Sequence, residues 1–87
     1  MSDEQKLKPI KPARVAAELK KLSAGRKSGE YSADEYEHRF ARMVGELRDR
    51  GIDGNRAEIM AALAPLKADG TLDPGAWERL TKSLGLA

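Results

Sequence analysis

Helix-start signals recur along this chain, and they constrain its fold more than any other feature. Ser32 and Asn55 are each followed three residues later by a glutamate, which is the spacing of a capping box. Asp73 is a third good N-cap, and the proline directly after it suits the first position of a helix. These signals predict three helix starts in the last two thirds of the chain.

Apolar residues at helical spacing extend this prediction to four helices. The first is expected over 12–23, before a loop over 24–30 that contains two glycines. The second runs from its cap to Gly51. The third covers about 55–64, because Pro65 removes a donor and should kink or shorten it. The fourth begins after Asp73, and no segment alternates as a strand would.

The two halves of the chain resemble each other at offsets of 44 and then 41 residues. Duplication explains this, but so does the shared pattern of any two amphipathic hairpins. The fold predicted is all-α, a small four-helix bundle over 12–87, built from two helical hairpins, the first with a loop three residues longer. Residues 1–11 are expected to form a flexible N-terminal arm. The matched residues include Val15 and Ile59, Leu22 and Leu66, Gly29 and Gly70, Ser32 and Asp73, and Tyr36 and Trp77.

Composition limits the chemistry available. With 87 residues the chain is sufficient for one domain, and the absence of cysteine excludes disulfides, thiol catalysis and thiolate metal sites. The only histidine, His38, is expected on a solvated helix face. No phosphate-binding loop or metal-spaced cluster is visible. We therefore expect no enzyme activity, no catalytic or metal-ligating residues and no cofactor.

The start of the chain lacks the apolar run of a signal peptide, and no stretch approaches the ~20 apolar residues that span a bilayer. A cytoplasmic location without membrane association is therefore expected.

Positive charge is concentrated in residues 1–28, which hold eight lysines and arginines against three acidic residues. These cations are candidates for contact with nucleic-acid phosphates or an acidic partner. A solubilising charged tail is the simpler interpretation, because no aromatic residue is interleaved for base stacking. The candidates are Lys6, Lys8, Lys11, Arg14, Lys20, Lys21, Arg26 and Lys27.

Three further residues are candidates for a partner surface. Arg39 and Arg42 extend the basic charge onto the second helix. Trp77 lies on an amphipathic stripe, where a tryptophan is usually core but is also a favoured residue at binding interfaces.

Two short segments resemble known helical hairpins. The segment Gly29–Glu37, preceded by leucines at 19 and 22, is similar to the two-helix SHOCT motif. The segment Leu66–Pro74 resembles the repeated hairpin of TerB-like helical domains. Each resemblance covers roughly 25–30 residues and implies a helical hairpin. Gly75 and Ala76 stand where the TerB-like pattern has acidic residues, so its metal site is not carried over.

Taken together, the sequence predicts a non-enzymatic, protein-binding helical module, such as a regulator, adaptor or inhibitor that occupies a partner surface. The alternative is a nucleic-acid-associated accessory protein that uses the basic N-terminal arm. A homodimer stays open, because a chain this small buries little surface alone.

Overall fold

The computed structural model describes residues 8–86, and four helices dominate that range. They are α1 (Pro12–Ser28), α2 (Ala33–Arg50), α3 (Arg56–Ala68) and α4 (Pro74–Ser83). Between residues 8 and 86 there is no strand, only a single parallel bridge that joins residues 10 and 52. The predicted all-α bundle of four helices is confirmed.

The predicted caps account for three of the helix starts. The Glu35 amide donates to the Ser32 hydroxyl over 3.1 Å, and the Ala76 amide donates to Asp73 Oδ1 over 2.7 Å. Asn55 and Glu58 form the complete capping box, with both hydrogen bonds at 2.8 Å. Each cap satisfies a backbone donor that the first helical turn leaves without a partner.

Helix α1 is five residues longer than predicted, because Ala24–Ser28 are helical and do not form a loop. Gly25 remains inside the helix and is buried, since the ring of Tyr31 lies where a side chain would be. Arg26 and Lys27 place two cations in the last turn, where the helix dipole favours them. Gly29, at φ 86°, ends the helix. The expected longer loop is therefore wrong, and the extra residues lengthen the helix.

Helix α3 continues through Pro65 to Ala68, so the predicted end at residue 64 is also wrong. Pro65 is exposed, and so is Ala61, the residue whose carbonyl loses its helical partner. Leu66 is 1% exposed and holds the last turn against the core. The Asp69 amide donates to the Pro65 carbonyl over 2.9 Å, which closes the turn beyond the proline.

Helix α1 is central to the packing, since it contacts both α2 and α3, while α4 packs on α2. One continuous core joins all four helices. Its large side chains are almost all aliphatic. They are Val15, Leu19, Leu22, Phe40, Leu47, Ile59, Leu63, Leu66, Leu72, Leu80 and Leu86.

The chain ends of the described region are attached to this core by backbone hydrogen bonds. Ile10 donates to the Gly51 carbonyl over 3.0 Å and accepts from the Asp53 amide over 2.8 Å. Leu86 is buried, and its carbonyl accepts a hydrogen bond from Arg56. Residues 1–7, which form most of the predicted arm and include Lys6, lie outside the described residues.

Candidate functional site

A groove of about 580 Å³ lies between α1 and α2. The short connection over residues 29–32 makes the two helices antiparallel. Tyr31 marks one end of the groove and Ile10 the other. We call this surface the α1–α2 groove.

The floor of the groove is apolar. Val15 and Leu47 are fully buried at its base, and Met43 is half-buried beside them. Tyr31 and Ile10 are also half-buried. The floor residues are Ile10, Val15, Leu22, Tyr31, Met43 and Leu47.

The rims of the groove are charged and mostly positive. Five guanidinium or ammonium groups face two carboxylates, which leaves a net charge of +3. The cations occur near both ends. The rim residues of α1 are Arg14, Glu18 and Lys21, and those of α2 are Arg39, Arg42, Glu46 and Arg50.

Two of the rim arginines are held in place by their neighbours. Arg39 donates to Glu35 over 3.0 and 3.2 Å, and its guanidinium lies 4.3 Å from the centroid of the Tyr31 ring. The hydrogen bond to Glu35 raises the pKa of Arg39. Arg50 donates to Glu46 over 3.3 Å and to the Lys8 carbonyl over 2.9 Å. The rim is therefore partly preorganised around the two ends of the floor.

The other rim cations have no such partner among the described residues. Arg14, Lys21 and Arg42 form no ion pair within 4.0 Å with any residue in 8–86. All three are exposed. Among residues 8–86, therefore, no ion pair has to break before these three cations meet an incoming carboxylate.

The predicted basic residues do not form one surface. Arg14 and Lys21 line the groove, where Arg39 and Arg42 join them. Lys11 pairs instead with Asp53 over 3.4 Å. The remaining described candidates are exposed and do not line the groove. They are Lys8, Lys20, Arg26 and Lys27.

The positive charges of Lys20 and Lys27 affect the carboxylate of Asp69, which directly follows α3. The pKa of Asp69 is lowered mainly by hydrogen bonds from Thr71, and the two lysines lower it further by their positive charge. Lys20 and Lys21 are thus adjacent lysines with different surroundings, of which only Lys21 lines the groove.

Trp77 does not line the groove. It is half-buried against the core, and the Lys67 ammonium lies 5.4 Å from the centroid of its ring. Its position combines a core contact with some exposed surface.

Nine groove residues are not among the site residues that the sequence predicts. They are Ile10, Val15, Glu18, Leu22, Tyr31, Met43, Glu46, Leu47 and Arg50. A signal was present, because residues 39, 42, 46 and 50 follow one side of a helix, as do 14, 18 and 21. That spacing shows which residues share a side, but not that the two sides meet.

Other features of the described region add no second candidate site. His38 is exposed on α2, and no group of three or more histidine or acidic residues in 8–86 is arranged to hold a metal ion. Across the same range, every helix is too short or too polar to cross a lipid bilayer. A smaller depression, of about 230 Å³, lies between α2, α3 and residues 83–86 and includes Leu84 and Leu86.

Comparisons with protein-family models, curated proteins and solved structures found no significant match. The resemblance to SHOCT-like and TerB-like hairpins therefore stays a prediction from the sequence.

Proposed function

We propose that the chain is a non-enzymatic helical module that binds another protein through the α1–α2 groove, as a regulator, adaptor or inhibitor does. The observation that supports this most is an apolar floor bordered by cations on both rims. Protein interfaces commonly combine an apolar centre with a polar border in this way. A cytoplasmic location belongs to the same proposal and is consistent with the lack of cysteine.

The alternative is a nucleic-acid-associated protein that uses the basic N-terminal arm. Its cations in the described region are dispersed, since Lys11 pairs with Asp53 and Lys20 acts on Asp69, away from the groove. Phosphate binding gains affinity from many cations engaged along one surface. The dispersal therefore favours protein binding.

A capture experiment with matched charge variants tests the proposal. The groove variant is Lys21→Glu with Arg42→Glu. The control is Lys20→Glu with Arg48→Glu, which makes the same change of charge at exposed positions that do not line the groove. Tagged wild type and both variants are incubated with nuclease-treated lysate, and bound proteins are quantified by mass spectrometry.

We expect a protein enriched by the wild type and the control but lost from the groove variant. Equal recovery by all three chains would contradict the groove as the binding surface. Enrichment that exists only without nuclease would favour the nucleic-acid alternative. Circular dichroism melts of both variants exclude unfolding as the cause of a loss.

A further inference from the structure

The partner segment that the groove fits has two chemical requirements. The first is an apolar stripe, since the half-buried Met43 lies beside the buried Val15 and Leu47 on the groove floor. Covering this floor removes apolar area from water, which is the main source of affinity in most protein association. A wholly polar or polyanionic ligand would leave the apolar floor of the groove hydrated.

The second requirement is negative charge at both ends. Because α1 and α2 are antiparallel, Arg14 and Arg50 lie toward the Ile10 end. Lys21 lies toward the Tyr31 end, with Arg39, which covers the Tyr31 ring. A partner that carries carboxylates at only one end would leave the other cations without a complement.

The length of the rims sets the length of the segment. Helix rise places residues 14 and 21 about 10.5 Å apart and residues 39 and 50 about 16.5 Å apart. These distances correspond to roughly 7–11 helical residues, or two to three turns. A helix in the groove would lie beside two antiparallel helices, as in an ordinary bundle.

Other binding modes agree less well with the groove. Strand addition needs an open sheet edge, and residues 8–86 contain no strand. A nucleic-acid backbone would bring phosphates near Glu18 and Glu46 and would gain nothing from the apolar floor.

We propose that the α1–α2 groove binds an acidic amphipathic α-helix of a partner protein, two to three turns long, with carboxylates at both ends of its apolar stripe. This inference rests on the proposed function and names the class of segment that the groove selects. The positive rims and the apolar floor together favour this class of partner segment.

A peptide titration tests this inference directly. The probe is a capped 14-residue helical peptide with a leucine and alanine stripe and glutamates flanking it at both ends. Two control peptides carry glutamine in place of glutamate, or the same residues in scrambled order. Binding is followed by amide shifts in ¹⁵N-labelled protein and by fluorescence anisotropy at low and high salt.

We expect saturable binding by the acidic peptide, with a dissociation constant below about 1 mM. The largest amide shifts should occur at the floor and rim, around Tyr31 and Met43. Lys21→Glu should weaken binding at least about fivefold at low salt, since an attraction becomes a repulsion, while Lys20→Glu should change it less than about twofold. The glutamine and scrambled peptides should bind more weakly.

Several outcomes would overturn the inference. They are no saturable binding, equal binding by the scrambled peptide, equal effects of the two lysine variants, or shifts centred outside the groove. Tighter binding of a single-stranded oligonucleotide at the same residues would show that the groove binds nucleic acid and not an acidic helix. A sedimentation experiment that shows a dimer broken by Arg42→Glu would show that the groove binds a second copy of this chain.

Failure of the inference and failure of the proposed function are distinguishable. If the capture experiment yields a groove-dependent protein but the acidic peptide does not bind, the groove binds protein of another chemistry. If the capture experiment yields no groove-dependent protein and the peptide does not bind either, both proposals are contradicted.

Discussion

The two helical hairpins have the same turn but different inner faces. In each, a glycine with positive φ ends the first helix, Gly29 at 86° and Gly70 at 83°. Tyr31 then donates its amide to the carbonyl of Gly25, as Leu72 does to that of Leu66, both over 3.0 Å. Both bonds connect residues six positions apart, so the two turns close in the same way.

Beyond the turn the equivalent positions diverge. Leu72 and Leu80 are 2% and 0% exposed, whereas Tyr31 is half-buried and Arg39 is exposed at the positions 41 residues earlier. The second hairpin therefore contributes these residues to the core, while the first keeps a charged groove beside α1. The two hairpins therefore share the geometry of the turn and differ in how deeply the residues after the cap are buried.

The largest expected contrast is between Leu80 and Arg39, which are equivalent in the two hairpins. Leu80→Ala should lower the free energy of unfolding by about 2–5 kcal/mol, because it leaves a cavity at a fully buried site. Arg39→Ala should lower it far less, since its ion pair with Glu35 is exposed. Urea denaturation measures both, and similar losses would contradict the difference between the two faces.

The next contrast concerns glycines inside the two helices of the first hairpin. Gly25→Ala should lower the free energy of unfolding by about 1–2 kcal/mol, because the new methyl overlaps the Tyr31 ring. Gly45→Ala meets no atom within 4 Å and should stabilise α2 by about 0.5–1 kcal/mol. The melting temperatures of the two variants measure this contrast.

Adding Tyr31→Ala provides the control for this comparison. In that background Gly25→Ala should become stabilising, because the overlap is gone. A Gly25→Ala variant that stabilises the unmodified chain would show that the Tyr31 ring is not fixed against α1.

A smaller effect is expected at the two equivalent N-caps. Asp73→Ala and Ser32→Ala should each lower the free energy of unfolding by about 1 kcal/mol, since each leaves one amide of the first helical turn without its acceptor. Asp73→Asn and Ser32→Thr should retain most of the wild-type free energy of unfolding. Denaturant midpoints measure these changes, and alanine variants that equal the wild type would contradict the assigned caps.

The smallest expected effect is a difference in pH dependence between Tyr36 and its equivalent, Trp77. Burial raises the pKa of Tyr36, and the negative charges of Asp73 and Glu37 raise it further. Well below pH 10 the Tyr36 hydroxyl is protonated in both the folded and the unfolded state. Above pH 10 the unfolded state ionises first, so stability is lost as pH rises through the pKa of the folded state.

Tyr36→Phe provides the matched comparison, because position 77 carries no ionisable group. Melting temperatures between pH 8 and 11 should fall less steeply for Tyr36→Phe than for wild type. Parallel curves would show that Tyr36 ionises equally in both states.

Local chemistry explains which parts of the fold were predictable. The caps at Ser32, Asn55 and Asp73 depend on residues within one helical turn, so their spacing in the sequence is sufficient. The end of α1 was not predictable in this way, because Gly25 is helical through a contact with Tyr31 that forms only after the turn closes. Leu66 likewise extends α3 past Pro65 through burial, which the proline signal does not contain.

The candidate site was only partly predictable for the same reason. Arg39 and Arg42 were identified as surface cations, and Arg14 and Lys21 as members of a basic arm. Their meeting depends on the register between α1 and α2. Single-helix periodicity contains no information on that register, so one groove was interpreted as two separate features.

The most direct test of the account is photo-crosslinking at equivalent positions of the two hairpins. A benzophenone side chain replaces Met43 in the groove floor, or Leu84, 41 residues later, in the smaller depression. After irradiation in the cell of origin, crosslinked products are separated and identified by mass spectrometry. We predict a protein adduct from position 43 and none from position 84. An adduct from position 84 alone, or from neither, would contradict the α1–α2 groove as the binding surface.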